Sequence, residues 1–422
     1  MNDQEIFSLE EWNQIVEHRL HSKEFEIVSC EVSRLQTTGG YLGEHFTASV
    51  TVRSQTSKHS ENLRFFLKAE PKCDESQREI VKQLNVFKKE VYIWNKLFEK
   101  VRSVLKKGGR DMIWTCQCYF TRPDVIVLED LSQKGFRTFT IRDSVDYKYH
   151  CLAMKALANM HAASIIFEEM QPNQPYRLGN IYPDLLSESF FIDAPNHPGT
   201  LCVEASIKSI WLLVKLIRGK GALLRMKIEL EKAIHSLFDF QKPSVRFRNV
   251  MCQGDVKRDN ILCRQEGGES TDVAIVDFQL LRYTPPANDV MCFLYISSNR
   301  DFRQKFASEL ISTYYDQFAM NLSNYGLEPN DILPWGEFKE SCDIYKTLGI
   351  VMSAVYSPVT YIKEENLRHV FTSPKDFERF FKGDRSPEIT HSYKTDELYR
   401  KYVTEVIEEL VEECIVKPSH QK

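Results

Sequence analysis

Residues 250–262 are Val250-Met-Cys-Gln-Gly-Asp-Val-Lys-Arg-Asp-Asn-Ile-Leu262, and residues 274–279 are Ala274-Ile-Val-Asp-Phe-Gln279. An Asp stands five residues before an Asn, and a second Asp opens an Asp-Phe-x triplet between apolar residues. Phosphoryl transfer from a nucleotide requires a base near the attacking hydroxyl and oxygen ligands for a magnesium ion on the phosphates. The pattern therefore offers Asp255 as the base, and Asn260 and Asp277 as the metal ligands.

A β-hairpin is predicted between these residues. Residues 261–263 and 272–276 have the composition of short strands, and Glu266-Gly-Gly-Glu269 has that of a turn. Such a hairpin would bring Asn260 and Asp277 side by side. The alternative is a buried hairpin that carries incidental acids.

Several motifs in a fixed order carry a family resemblance. They are Gln253-Gly-Asp-Val-Lys-Arg-Asp-Asn260, Ile275-Val-Asp-Phe-Gln279 and Pro286-Ala-Asn-Asp289, preceded by Phe87-Lys-Lys-Glu-Val-Tyr92, Val127-Leu-Glu-Asp-Leu131 and Met160-His-Ala-Ala-Ser164. With these motifs the chain resembles the choline/aminoglycoside phosphotransferase group of the protein-kinase-like superfamily, and within it the ecdysteroid kinase-like family. The resemblance covers roughly residues 30–300. It departs at Gln253, where the family usually has His, and at Lys257, where Trp is common.

The order of predicted elements agrees with a two-lobed, protein-kinase-like α+β fold. A chain of 422 residues is long enough for two lobes. Residues 1–130 are expected to form an N-lobe, with an antiparallel sheet and one long helix. Residues 131–422 are expected to form a mainly helical C-lobe that contains the catalytic loop and the acceptor site, with the nucleotide between the lobes.

A lysine and a glutamate of the N-lobe are candidates for holding the nucleotide. Residues 46–53 alternate with a period of two, and Lys68 ends a later strand before a long helical stretch at about 77–106. In kinases a strand lysine holds the α- and β-phosphates and is itself held by a helix glutamate. The resemblance selects Glu90 over Glu79 for that role. The alternative is a pair of unrelated surface charges.

Two further segments are candidates for binding ATP. Gly40 and Gly43 belong to Thr37-Thr-Gly-Gly-Tyr-Leu-Gly43, where glycines would let backbone N–H groups approach phosphates, although a plain turn uses the same residues. Glu129 and Leu131 belong to a segment that resembles the hinge whose backbone receives adenine. The expected cofactors are thus ATP and magnesium.

Helical periodicity dominates after residue 131. Helices are predicted at 147–166 and 204–238, and later at about 301–325, 337–356 and 395–415. His161 is interpreted as a hydrogen-bonded core residue. The loop at 171–198, which contains five prolines, is expected to border the acceptor pocket.

Composition excludes several classes of function. A net charge of −4 without a long basic run argues against nucleic-acid binding. The longest apolar stretch, 207–217, is interrupted by two lysines and cannot span a membrane, and the acidic N-terminus is not a signal peptide. The 11 scattered cysteines are typical of reduced thiols, so a cytoplasmic protein is expected. No obligate protein partner is evident.

The spacing of the acids favours a small-molecule acceptor. Asp277 lies only twelve residues before Asp289 and no Ala-Pro-Glu follows, which leaves no room for a peptide-binding activation loop. The resemblance implies transfer of the γ-phosphate to a hydroxyl of a largely apolar molecule, such as an ecdysteroid or a hydroxylated xenobiotic. Lys257 would add positive charge near that phosphate. The alternatives are a choline/ethanolamine-type kinase, a nucleotide-binding pseudokinase, or a structural helical protein, which would leave Asp255, Asn260 and Asp277 unexplained.

Overall fold

The computed structural model describes residues 6–35, 42–71 and 75–416. The strands within these ranges are β1 (Phe25–Arg34), β2 (Glu44–Ser54), β3 (Ser60–Ala69), β4 (Cys118–Arg122), β5 (Val125–Glu129), β6 (Phe136–Arg137), β7 (Val250–Cys252), β8 (Ile261–Glu266), β9 (Glu269–Ile275) and β10 (Arg282–Thr284). The helices are α1 (Leu9–Leu20), α2 (Glu75–Leu84), α3 (Val86–Tyr92), α4 (Phe98–Lys107), α5 (Tyr147–Glu169), α6 (Leu178–Ile181), α7 (Pro183–Leu186), α8 (Pro198–Arg218), α9 (Leu224–His235), α10 (Leu237–Phe240), α11 (Ala287–Ser297), α12 (Arg300–Ser323), α13 (Pro329–Ile332), α14 (Trp335–Thr360), α15 (Glu364–Thr372), α16 (Pro374–Lys382), α17 (Ser386–Thr395) and α18 (Glu397–Val411).

The N-terminal region is an antiparallel sheet with the strand order β1-β2-β3-β5-β4. Side chains of a strand alternate between the two faces of its sheet. Leu67 of β3 therefore joins the core beneath α1, whereas Lys68 points to the opposite face, which carries α3. The helix α1 begins at a capping box formed by Ser8 and Glu11 and buries its apolar side on the sheet. The alternation of β3 thus decides which of its residues face α1 and which face α3.

The long helix predicted at 77–106 is wrong as a single element. The structure has α2, α3, a π-helical turn at Ile93–Leu97 and α4 in its place. The break between α2 and α3 falls at Asn85, which adopts a left-handed conformation with φ 54°. Asn tolerates this conformation better than most residues, so it ends one helix and redirects the next. Glu90 consequently lies on the short helix α3.

The C-terminal region is mainly helical, which confirms the predicted α+β fold with a sheet-containing and a helical part. The hairpin prediction is also confirmed, because β8 and β9 pair with Ile261 opposite Ile275. The predicted helix at 204–238 is interrupted after α8 by Gly219, whose φ is 52°. Helices α15 to α17 were not anticipated from the sequence.

Two further observations bear on the expectations from composition. Each cysteine in the described ranges is a free thiol. Within the same ranges, no helix is both long enough and apolar enough to cross a bilayer.

Candidate active site

Lys68 lies at the centre of a buried polar cluster. Its Nζ is 2.6 Å from Glu90 Oε2, 2.8 Å from Asp277 Oδ1 and 3.3 Å from Gln279 Oε1. Burial by itself lowers the pKa of Lys68, but the carboxylates of Asp277 and Glu90 outweigh that effect and raise it above its ordinary value. The lysine is therefore positively charged, and it lies where the N-terminal sheet meets the β8–β9 hairpin. The predicted contact between Lys68 and Glu90 is present.

The backbone around Asp277 holds its carboxylate in place. Asp277 follows β9 in a left-handed conformation with φ 63°, which is uncommon for a residue other than Gly. The next residue, Phe278, donates its backbone N–H to Glu90 Oε1 at 3.1 Å. Its ring packs against Trp94 and Phe98 with centroid distances of 5.4 and 4.8 Å. One glutamate thus orients both Lys68 and the Asp-Phe-Gln segment.

Asp255 is buried, and both of its carboxylate oxygens have partners. Oδ2 accepts from Asn260 Nδ2 at 2.9 Å and from Lys257 Nζ. Oδ1 accepts from the hydroxyl of Tyr356 at 2.8 Å. Lys257 therefore pairs with the candidate base in this structure, where the sequence had suggested a role toward the γ-phosphate. Burial lowers the pKa of Lys257, but the Asp255 carboxylate outweighs that effect and raises it.

Gln253 connects the loop that carries Asp255 with the end of β9. Its amide nitrogen donates to the carbonyls of Val276 at 3.1 Å and Asp277 at 2.7 Å. Its amide oxygen accepts from the backbone N–H of Asp255 at 2.7 Å. An amide side chain supplies the two donors and the acceptor that these contacts need. Gln253, at the position where the family usually has His, thus anchors the loop that carries Asp255.

Asp289 binds the backbone of the same loop. Its carboxylate accepts the backbone N–H of Gln253 at 2.6 Å and that of Gly254 at 3.1 Å. His161 contacts Asp289 Oδ2 at 3.2 Å and the Tyr314 hydroxyl at 2.7 Å, so it is a hydrogen-bonded core residue as predicted. Ligand-type atoms of His161, Cys252 and Asp289 lie within 4.8 Å of one another. Because the Asp289 oxygens and the His161 nitrogens already have these partners, we assign the cluster a structural role.

The remaining predicted site residues are distributed around this centre. Gly43 faces Lys68 closely, since a Cβ placed on it would lie 3.2 Å from Lys68 Cε. Gly40 lies outside the described residues. Glu129 ends β5 with its side chain 2.5 Å from Lys134 Nζ, and Leu131 is buried just beyond it. No contact in the described ranges tests the adenine-binding role of this segment.

The long loop after α5 contacts the helix that carries Glu90. Lys89 Nζ donates to the carbonyl of Ser187 at 2.8 Å and to the Ser189 hydroxyl at 3.1 Å. Glu188, between these serines, lies 2.7 Å from Arg282 Nη1, just past the Asp-Phe-Gln segment. Burial lowers the pKa of Lys89 to about 7. The loop therefore packs beside the site, and its role as a border of the acceptor pocket stays a prediction.

Three residues of this site were missed by the sequence analysis. Tyr356 comes from the end of α14, 101 residues away from Asp255. Gln279 was noted only as the last residue of the Asp-Phe-x triplet, yet it contacts Lys68 and Asp277. His45 lies directly across from Lys68 in the β2–β3 ladder, and burial followed by that positive charge lowers its pKa to about 4. For His45, the alternation of side chains along β2 could have indicated that it lies near Lys68. The sequence offered no comparable signal for Tyr356 or Gln279.

A strand lysine paired with a helix glutamate, next to an Asp-Phe-x segment and an Asp/Asn loop, is the arrangement of protein-kinase-like phosphotransferases. The chain belongs to the ecdysteroid kinase-like family, because the model of that family matches residues 38–327, more than half of the 422 residues. The family resemblance inferred from the motifs is thereby confirmed.

Solved structures similar to this chain are small-molecule kinases. An ethanolamine kinase of Plasmodium vivax is 11% identical, with 90% of this chain and 82% of that chain covered and a TM-score of 0.35. A choline/ethanolamine kinase family protein of Mesorhizobium loti is 14% identical, with 90% and 92% covered and a TM-score of 0.30. The ADP-bound aminoglycoside phosphotransferase APH(2'')-Ib is 12% identical, with 88% and 97% covered and a TM-score of 0.33. Among curated proteins, none matches the chain.

Proposed function

We propose that this protein is an ATP-dependent kinase that transfers the γ-phosphate to a hydroxyl of a small, largely apolar molecule. The observation that carries the proposal is the convergence of four predicted residues at one site. Lys68 contacts Asp277 at 2.8 Å, and Asn260 contacts Asp255 at 2.9 Å. Gln253 joins the two pairs, because its side chain bonds to the backbone of both Asp255 and Asp277. A buried lysine beside one carboxylate suits the binding of a polyphosphate with its metal ion, and a second carboxylate nearby suits the activation of an attacking hydroxyl.

Each residue has a role in the proposed reaction. Asp255 accepts the proton of the acceptor hydroxyl, because it is the buried carboxylate of the loop. Lys68, held by Glu90, neutralises the α- and β-phosphates. The backbone between Glu129 and Leu131 receives the adenine.

A magnesium ion fits the donor set on chemical grounds. Mg²⁺ prefers oxygen ligands, and Asp277 and Asn260 each supply one from the two ends of the β8–β9 hairpin. Asn260 uses its amide nitrogen for Asp255, so its amide oxygen is the atom left to face a metal. Burial raises the pKa of the Asp277 carboxyl, but the positive charge of Lys68 outweighs that effect and lowers the pKa below its ordinary value, which favours the ionised carboxylate. A bound magnesium would supply neutralisation of the phosphate charge.

The proposed class of acceptor rests on family membership and on the lack of room for a peptide-binding segment in the sequence. Twelve residues separate Asp277 from Asp289, which is too short for a peptide-binding segment. An ecdysteroid or a hydroxylated xenobiotic is the acceptor that family membership favours. Choline would require an aromatic and acidic cage for its quaternary ammonium. Gln253 anchors its loop with three hydrogen bonds, which favours an active kinase over a pseudokinase.

A phosphate-transfer assay against hydroxylated steroids, xenobiotic alcohols, choline and ethanolamine tests the proposal. A magnesium-dependent rise of the melting temperature with ATP is expected first, and Asp277→Asn should weaken it because a charged metal ligand is lost. Transfer to a steroid or xenobiotic alcohol is then expected. Faster turnover of choline or ethanolamine than of each apolar alcohol would overturn the acceptor class. A protein that binds Mg-ATP and phosphorylates nothing until Gln253→His is introduced would be a pseudokinase.

A further inference from the structure

The carboxylate of Asp255 has nearly all of its hydrogen-bonding positions filled. An ionised carboxylate offers about four lone-pair positions, two on each oxygen. Asn260 and Lys257 occupy those of Oδ2, and the Tyr356 hydroxyl occupies one of those on Oδ1. The one position left lies on Oδ1, beside the phenol oxygen. An acceptor hydroxyl that gives its proton to Asp255 must therefore bind next to Tyr356.

Tyr356 reaches this position through the packing of α14. The helix runs from Trp335 to Thr360 and buries most of its last turns, but Tyr356 itself is only half-buried. Pro358 lacks the N–H that would continue the helix ladder, and its carbonyl accepts the hydroxyl of Tyr399 at 2.9 Å. The end of α14 is thus fixed by a contact that does not involve Asp255. This arrangement points the phenol at the base.

Tyr356 also covers the cation that pairs with the base. Lys257 Nζ lies 5.5 Å from the centroid of the Tyr356 ring, within the range of a cation–π contact. The ring and the hydroxyl therefore act on the same carboxylate from one side, the ring through Lys257 and the hydroxyl directly. Burial and the neighbouring carboxylate raise the pKa of Tyr356 well above its ordinary value, so the phenol stays a neutral donor.

We propose that Tyr356 is a positioning residue for the base and forms the wall of the acceptor site against which the substrate hydroxyl binds. This inference rests on the proposed kinase function. In the reaction, the acceptor O–H proton passes to Asp255 Oδ1 as the acceptor oxygen bonds to the γ-phosphorus. The bond from that phosphorus to the bridging oxygen breaks, and ADP leaves with the bonding electron pair. The Tyr356 hydroxyl holds Oδ1 in line throughout. The Tyr356 ring presents an aromatic surface to an apolar acceptor.

The variant Tyr356→Phe tests this role, because it removes the hydroxyl and keeps the ring over Lys257. Mg-ATP turnover is measured with water as the acceptor and with the best alcohol of the panel. We expect kcat to fall about tenfold with the KM for ATP within about twofold, since one hydrogen bond to a charged group is lost. The matched control, Tyr315→Phe, removes a buried hydroxyl of α12 that donates to the carbonyl of Leu333 at 2.9 Å, and it should leave the rate unchanged.

Three outcomes would overturn the role of Tyr356 in an active enzyme. They are an unchanged kcat in Tyr356→Phe, a faster rate, which would mean that the phenol blocks the acceptor position, and an equal loss in Tyr315→Phe. A wild-type protein that turns over neither water nor any alcohol would overturn the proposed function and the role of Tyr356 with it. The contact itself is checked without turnover, since the losses in melting temperature of Tyr356→Phe and Asp255→Ala should be less than additive in the double variant.

Discussion

Replacing Gln253 by Leu should loosen the catalytic loop from the end of β9. Three backbone groups would lose their partner: the N–H of Asp255 and the carbonyls of Val276 and Asp277. A buried polar group without a partner costs about 1–3 kcal/mol. Because the two carbonyls are only partly buried, we expect a total loss of about 2–4 kcal/mol in the free energy of unfolding. Gln253→His keeps one donor and one acceptor, so it should lose about 1 kcal/mol and change the rate less than tenfold.

Urea denaturation measures this loss as a shift of the midpoint at constant slope. The control is Gln133→Leu, which replaces an exposed glutamine of the turn after β5. Gln253→Leu should also reduce the thermal shift produced by Mg-ATP, because Asp255 and Asp277 are no longer tied together. A midpoint for Gln253→Leu that equals that of the control, with the full Mg-ATP shift retained, would refute the reasoning.

Further substitutions test the rest of the site. In steady-state kinetics, Lys68→Met should raise the KM for ATP and slow transfer, and Glu90→Gln should have the same effects to a smaller degree. A double variant no worse than Lys68→Met would show that the two residues act as a pair, whereas additive losses would contradict this. Between pH 7 and its ordinary pKa, Lys89 binds fewer protons in the folded than in the unfolded state, so its contribution to stability rises with pH. From pH 7 to 9 wild type should therefore gain about 2–3 kcal/mol relative to Lys89→Met in urea denaturation, and a constant difference would contradict the burial of this amine. Gly254→Ala should cost more than about 2 kcal/mol, because φ is 85° and its Cβ would lie 2.2 Å from a carbonyl oxygen, whereas Gly267→Ala, also at positive φ but in open space, should cost about 1 kcal/mol; equal midpoints would show that the close approach is relieved.

The elements that could be predicted from the sequence are those whose signals are local. The β8–β9 hairpin has its turn and its strands within a few residues, so its pairing, which places Asn260 beside Val276, followed from spacing. Lys68 and Glu90 are 22 residues apart, and their contact was predictable because a strand lysine and a helix glutamate form a known pair. The hairpin thus followed from a local pattern, whereas the choice of Glu90 as the partner of Lys68 followed from the family resemblance.

The elements that escaped prediction depend on tertiary packing. Asn85 breaks an otherwise continuous helical pattern, and its left-handed conformation leaves no mark in the hydrophobic period. Tyr356 meets Asp255 only because α14 packs against α11 and the chain folds back over 101 residues. Lys257, which pairs with Asp255, lies 5.5 Å from the centroid of that tyrosine ring. The motif contains the candidate base and two of its partners, Lys257 and Asn260, but the third partner, Tyr356, lies on a helix without a motif.

The most direct test of the account compares wild type with Asp255→Asn in two assays on the same preparation. One measures transfer of the γ-phosphate from Mg-ATP to the best alcohol of the panel, and the other measures Mg-ATP binding. Since the base acts on the acceptor hydroxyl and not on the nucleotide, transfer should be abolished while binding stays almost intact. Retained transfer, or a loss of ATP binding as large as the loss of transfer, would contradict the assignment of Asp255 as the base.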